Sequence, residues 1–144
     1  VIENVKAIRE FAGDRAVLRA FHFFEENKRV DAEVEALEKK DFATFFNKIT
    51  ESGDSSWKWL QNCYCNETPD EQSITVALAL TKLYLDKIGR GVCRVHGGGF
   101  AGVIAAFLPK EETEGFTKYI DKALGEGSAY VMHIRPQGAV KVEF

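Results

Sequence analysis

The apolar positions change period once along the chain, near Gly89, and that change divides the sequence into a helical part and a strand-bearing part. Before it, Val5, Ile8, Val17, Leu18 and Phe21 fall at helical spacings over Ile2 to Glu26, with Gly13 as the break between two helices. Val30, Val34 and Leu37 then follow at i, i+4, i+7, and after Lys39-Lys40-Asp41 the set Phe42, Phe45, Phe46 and Ile49 repeats one helical face. These predict two amphipathic helices whose charged residues, Glu33, Glu35, Glu38, Lys39 and Lys40, form a solvated face. Ser52-Gly53-Asp54-Ser55-Ser56 reads as a break that caps a short helix carrying Trp57, Leu60 and Tyr64. Thr68-Pro69-Asp70 is another break. The helix after it presents Ile74, Ala77, Leu78, Thr81, Leu85 and Ile88, is expected to be the most buried in the chain, and stops at Gly89.

Beyond Gly89, Val92 to His96 and Val103 to Leu108 are short apolar runs joined by glycines, the pattern of an antiparallel hairpin with a wide loop. Pro109 opens a helix with Phe116, Ile120, Ala123 and Leu124 on one face, ended by Gly125 and Gly127. Alternation over Tyr130 to Ile134 and Val140 to Phe144 predicts two closing strands around Pro136-Gln137-Gly138. The order is helices followed by ββαββ, an α+β architecture with a small antiparallel sheet packed against helices. The expected organisation is a single domain over 1–144, helical over about 1–89 and ββαββ over about 90–144.

Composition narrows the function. A chain of 144 residues with 45% hydrophobic content suits one core. A formal charge of -3 with no basic stripe argues against nucleic acid and anionic membranes as partners. The sequence lacks an apolar run of the ~18 residues a membrane span needs. Cys63, Cys65 and Cys93 are odd in number and irregularly spaced, unlike a secreted disulfide framework, so a reducing cytoplasm is expected. Cys63-x-Cys65 with Cys93 and His96 also lacks the spacing of a zinc site, which leaves these cysteines a structural role and the chain without a metal site. Trp57 and Trp59, two positions apart, point to different faces, and one of them is expected to meet a partner surface. The first residue, Val1, is not methionine and the pattern there already reads as structure, which suggests a domain of a longer protein.

The candidate chemistry lies in His96-Gly97-Gly98-Gly99-Phe100-Ala101-Gly102. Glycines packed between two strands expose backbone where side chains would stand. Gly97, Gly99 and Gly102 satisfy G-x-G-x-x-G, but a strand follows where a dinucleotide fold needs a helix N-terminus. An esterase oxyanion loop is excluded because no nucleophile elbow follows; the only later serine, Ser128, lacks its spacing. Two readings stay open: a concave set of backbone N–H groups facing a phosphate, and a tight hairpin without a ligand. His96 ends a strand, where an imidazole of pKa ~6.5 either contacts a phosphate or serves as a structural hydrogen-bonder; His22 and His133 lean to the structural role.

Arg94 to Gly102, followed by an apolar strand, resembles the third motif of the GHMP small-molecule kinase superfamily, and galactokinases within it most of all. Arg19-Ala20-Phe21-His22-Phe23-Phe24-Glu25-Glu26-Asn27-Lys28-Arg29-Val30 is similar to the galactokinase helix that opens on arginine-alanine-x-histidine and closes on arginine-valine. Glu51 to Ser56 matches that family's serine-rich segment, so the likeness spans most of the first two thirds of the chain in the right order. The resemblance implies the ferredoxin-like C-terminal domain of such a kinase, with additional N-terminal helices. His96 to Gly102 would then help close the phosphoryl-transfer site, with no catalytic residue and no metal ligand in this chain. It further implies that ATP and Mg2+ are bound mainly by an N-terminal domain of the same polypeptide, which also holds the sugar, with galactose the expected one. His96 stands where the family more often has threonine, and Ala101 replaces a common glycine, so the sugar could differ from galactose. The alternatives are an inactive galactokinase-like sugar sensor and a stand-alone ligand-binding module, the last expected to show no large apolar patch.

Overall fold

The computed structural model describes residues 1–100 and 102–141 and has a mixed α+β architecture. After a 3₁₀ turn at Ile2–Asn4 come α1 (Val5–Ala12), α2 (Asp14–Glu38), α3 (Phe42–Ser55) and a π-helical turn at Ser56–Leu60. They are followed by α4 (Ser73–Ile88), the strands β1 (Val92–His96) and β2 (Val103–Phe107), a 3₁₀ turn at Lys110–Glu112, and α5 (Thr113–Leu124). The chain gathers into two compact units, Val1–Pro109 and Lys110–Phe144. The hairpin lies in the first unit, together with α1 to α4.

In the first unit, Gly13 separates α1 from α2 as anticipated, and Arg9 and Asp14 form an ion pair across it. From there α2 runs unbroken for 25 residues, joining segments that the spacing presented separately. It buries Val17 and Ala36 and leaves Val30, Val34 and Leu37 about half exposed, so the stripe expected to face the core points away from it. A periodic pattern identifies an apolar face but not the neighbour that covers it. Glu33, assigned to the solvated face, is half-buried, and burial pushes its carboxyl above the ordinary range even though Arg94 opposes the shift. Asp41 caps α3, its side chain accepting from the Thr44 N–H at 3.1 Å.

The serine-rich segment does not break the chain into a new helix. Instead, α3 continues through Ser52 and Ser55 directly into the π-helical turn that carries Trp57 and Trp59. Ser52, Ser55 and Ser56 are buried. The Ser52 hydroxyl donates to the Glu26 carboxylate of α2, and the Ser55 hydroxyl lies 3.0 Å from Nδ1 of His22. The same oxygens that cap helices here bind α2 to α3. Gly53, between them, lets α3 approach β1: a Cβ at this position would lie 3.1 Å from Cβ of Arg94.

Gly89 ends α4, which buries Ile74, Thr81 and Leu85 on one face and exposes Val76 and Leu83; the helix expected to be the most buried buries no more residues than α3 does. The core joins Cys63, Ile74 and Val95, with Tyr64, Leu78 and Ile104 packed against them. Burying a side chain the size of Ile74 is worth about 2 kcal/mol. The strands pair antiparallel, Val92 opposite Phe107 and His96 opposite Val103, and Phe107 meets the rings of Phe45 and Phe46 on α3 at 6.5 and 6.4 Å.

In the second unit, α5 buries Phe116 and Ile120, and Asp121 accepts the Ala129 N–H at 3.0 Å beyond the helix end. The strand expected over Tyr130 to Ile134 is not formed: these side chains are exposed and no ladder partner is found among the described residues. Val140 is likewise outside any strand, and residues 142–144 of the other expected strand lie outside the described residues. Alternation gives a segment two faces but no partner, and an isolated hairpin buries too little to hold. Arg135 instead closes a local turn, its guanidinium donating to the carbonyls of Gln137 and Gly138. Among the described residues, no helix is long and apolar enough to cross a membrane.

Candidate functional site: the glycine loop and its platform

The loop between β1 and β2 takes its shape from left-handed backbone at Gly97 (φ 71°), Gly99 (φ 80°) and Phe100 (φ 59°). Phe100 is an unusual residue for that conformation. It is held there because its N–H donates to the Asn62 carbonyl at 2.6 Å, while the Gly102 N–H donates to the Gly99 carbonyl at 3.1 Å. Asn62 Nδ2 adds a longer bond to the Gly98 carbonyl at 3.3 Å. The N–H groups of Gly97, Gly98 and Gly99 meet no acceptor among the described residues. Consecutive donors on glycines can converge on an anion, the chemistry expected of this loop. His96 stands exposed at the end of β1, and Ala101 lies outside the described residues.

Asn62 is the residue of the candidate site that the pattern along the chain did not reveal. It is 2% exposed and follows Gln61, a non-glycine residue in the left-handed region at φ 57°. Arg15 of α2 donates to the Gln61 carbonyl at 3.2 Å, fixing the exit from the π-helical turn. The available signal was a pair of amides, Gln61-Asn62, set between Leu60 and Cys63 where the helical pattern lapses. Asn62→Ala removes the side-chain bond and retains the carbonyl acceptor. It is expected to cost about 1 kcal/mol in a denaturant titration and to broaden the amide resonances of Gly98 and Gly99. An unchanged loop spectrum would show that the amide does not position the glycines.

A polar cluster ties β1 to α2 and α3. Glu26 of α2 accepts from Ser52, from Nε of Arg29 at 2.8 Å and from Nη1 of Arg94 at 3.2 Å. Burial pushes the Glu26 carboxyl up, but the bonds from Ser52 and Arg29, with the charges of Arg94 and Arg29, outweigh it and hold the group below its ordinary range. Burial pushes His22 down, with Glu26 opposing. A carboxylate held anionic by two guanidiniums is a poor proton acceptor, so this cluster supplies position rather than acid-base chemistry.

The cysteines are free; burial pushes the Cys63 and Cys93 thiols up, away from a reactive thiolate. Among the described residues, no three His, Cys, Asp or Glu side chains come together as a metal site. Trp59 meets Phe21 at a ring distance of 6.5 Å, while Trp57 lines a groove of about 260 Å³ with Leu78, Lys82 and Cys93, to which no described loop residue contributes. No protein-family model and no curated protein matches the chain.

Proposed function

We propose that the chain is the C-terminal domain of an ATP-dependent sugar kinase resembling galactokinase, acting in the cytoplasm on the anomeric hydroxyl of a hexose, with galactose the first candidate. The observation that carries this reading is the loop of Gly97, Gly98 and Gly99, whose backbone N–H groups meet no acceptor among the described residues while Phe100 is anchored on Asn62. Phosphoryl transfer depends chiefly on positioning and on stabilising charge spread over the transferring oxygens. Glycine N–H groups fit phosphate oxygens. By the resemblance to galactokinases, ATP and Mg2+ would be held mainly by an N-terminal domain of the same polypeptide, together with the sugar. When bound, they supply the phosphoryl group and its charge neutralisation. The part of this chain is to close one wall of the site, exclude water and present N–H donors. Phe11, at 93% exposure, and the exposed stripe of α2 favour readings in which a partner surface covers this unit over a self-contained ligand-binding module.

The test is an ADP-release assay with several hexoses, run on this chain alone and on the polypeptide with its preceding coding sequence. Turnover is expected from the longer protein only. Turnover by the chain alone would overturn the division of labour. Galactose binding without ADP release by the longer protein would replace the kinase with a sugar sensor.

A further inference from the structure

Two arginines near the start of α2, Arg15 and Arg19, stand about one helical turn apart with no acidic partner among the described residues. The cations around them are answered: Lys6 pairs with Glu10, Arg9 with Asp14, Lys28 with Glu25 and Arg29 with Glu26. The positions three and four residues to either side of the two arginines hold Phe11, Ala12, Ala16, Leu18, His22 and Phe23, besides each other, and none is acidic. Like charges at i, i+4 destabilise a helix, a cost that an anion bound between them would remove.

Arg15 is also held in place. It is half-buried, its Nη2 donates to the Gln61 carbonyl at 3.2 Å, and its Nε is buried without an acceptor. A guanidinium carries five N–H donors. This one meets a single acceptor among the described residues, a backbone carbonyl that a neutral donor would have satisfied, so its charge is left over. The next carbonyl along the chain, that of Asn62, holds the Phe100 N–H and with it the glycine loop. There the N–H groups of Gly97, Gly98 and Gly99 likewise meet no acceptor among the described residues. Two sets of unmet donors are thus fastened to consecutive residues, Gln61 and Asn62. Both suit the same chemistry: guanidinium forks bind phosphate oxygens in pairs, and successive glycine N–H groups form a concave anion site.

We infer that Arg15 and Arg19 form a phosphate subsite beside the seat of the glycine loop, which takes the phosphate group of a small phosphorylated molecule. Arg15 is the anchored fork, and Arg19, exposed on the same face one turn along, closes on the anion. A formal charge of -3 without a basic stripe disfavours an anionic lipid surface as the source of that phosphate. The subsite does not depend on the kinase reading.

The experiment titrates the purified chain with inorganic phosphate and with a hexose phosphate, and follows the Nε–Hε resonances of Arg15 and Arg19 by NMR. Both resonances are expected to shift saturably with either probe and to stay in place with chloride at matched ionic strength. Arg19→Gln, at an exposed position where circular dichroism checks the fold, is expected to weaken binding at least ~10-fold, the loss of one charge-assisted contact. Arg15→Lys keeps the charge but loses the fork, and is expected to weaken binding as well. The absence of a saturable shift, an equal response to chloride, or unchanged affinity in Arg19→Gln would overturn the proposal. Preferential cosedimentation with phosphatidic acid vesicles would overturn the small-molecule assignment. The Gly97, Gly98 and Gly99 amides report on the loop in the same spectra, so failure of this subsite and failure of the kinase reading are told apart.

Discussion

Gly99→Ala is expected to unseat the glycine loop and to cost about 3 kcal/mol, the sum of an overpacked contact and a left-handed alanine. A Cβ on Gly99 would lie 2.7 Å from Nδ2 of Asn62 and closer still to its carbonyl oxygen, and the backbone at φ 80° strains any side chain. Backbone is what obstructs it, so no rotamer change relieves the clash. Gly98 has open space around it and lacks a positive φ, so Gly98→Ala is expected to stay within about 0.5 kcal/mol of the parent. Gly97 also faces open space but sits at φ 71°, which places Gly97→Ala between them at about 1 kcal/mol. Denaturant midpoints of the three variants check the order. If Gly99→Ala proves no worse than Gly98→Ala, the loop is not seated on Asn62.

Glu26→Gln is expected to cost about 2 kcal/mol, because a neutral amide leaves Arg94 and Arg29 without a counter-charge in a partly buried cluster, where some solvent screening remains. The variant should also change the response to acid. The Glu26 carboxyl is held below its unfolded value, so its contribution is complete above that value and is lost as pH falls through the folded one. Unfolding free energy of the parent should therefore fall on acidification, while that of Glu26→Gln should fall less. His22 is shifted down as well, so the unfolded chain takes up its proton first and stability declines further as pH drops below the ordinary histidine range. Glu33 acts in the opposite sense: its raised carboxyl penalises the folded state once ionised, and acid relieves that penalty. Parallel acid profiles for the parent and Glu26→Gln would remove Glu26 from the balance.

Most helices were legible because a 3.6-residue period and the breaks at Gly13, Asp41 and Gly89 are local signals. The hairpin was legible as well, since β-branched runs flank the glycines. Three features were not, and each depends on what does or does not lie opposite it in the fold, which no local pattern specifies. The oxygens of Ser52 and Ser55 resemble caps until Glu26 and His22 lie opposite them. Val30, Val34 and Leu37 have core spacing, yet the neighbours of α2 are on its other side. Tyr130 to Ile134 alternates as a strand would, but alternation does not provide a second strand. In the candidate site the glycines announced themselves by composition, whereas Asn62 is an ordinary amide until the fold brings it to residues 36 positions later.

That separation also fixes the order in which parts of the molecule let go. The seat beneath Phe100 exists only once the π-helical turn has closed and the two strands have paired, and it rests on two hydrogen bonds, at 2.6 and 3.3 Å. Breaking them leaves the β1–β2 ladder and the contact of Gly53 with Arg94 intact. The glycine segment can therefore open as a small unit of its own, and exchange of the Phe100 amide with deuterated solvent reports that opening separately from global unfolding.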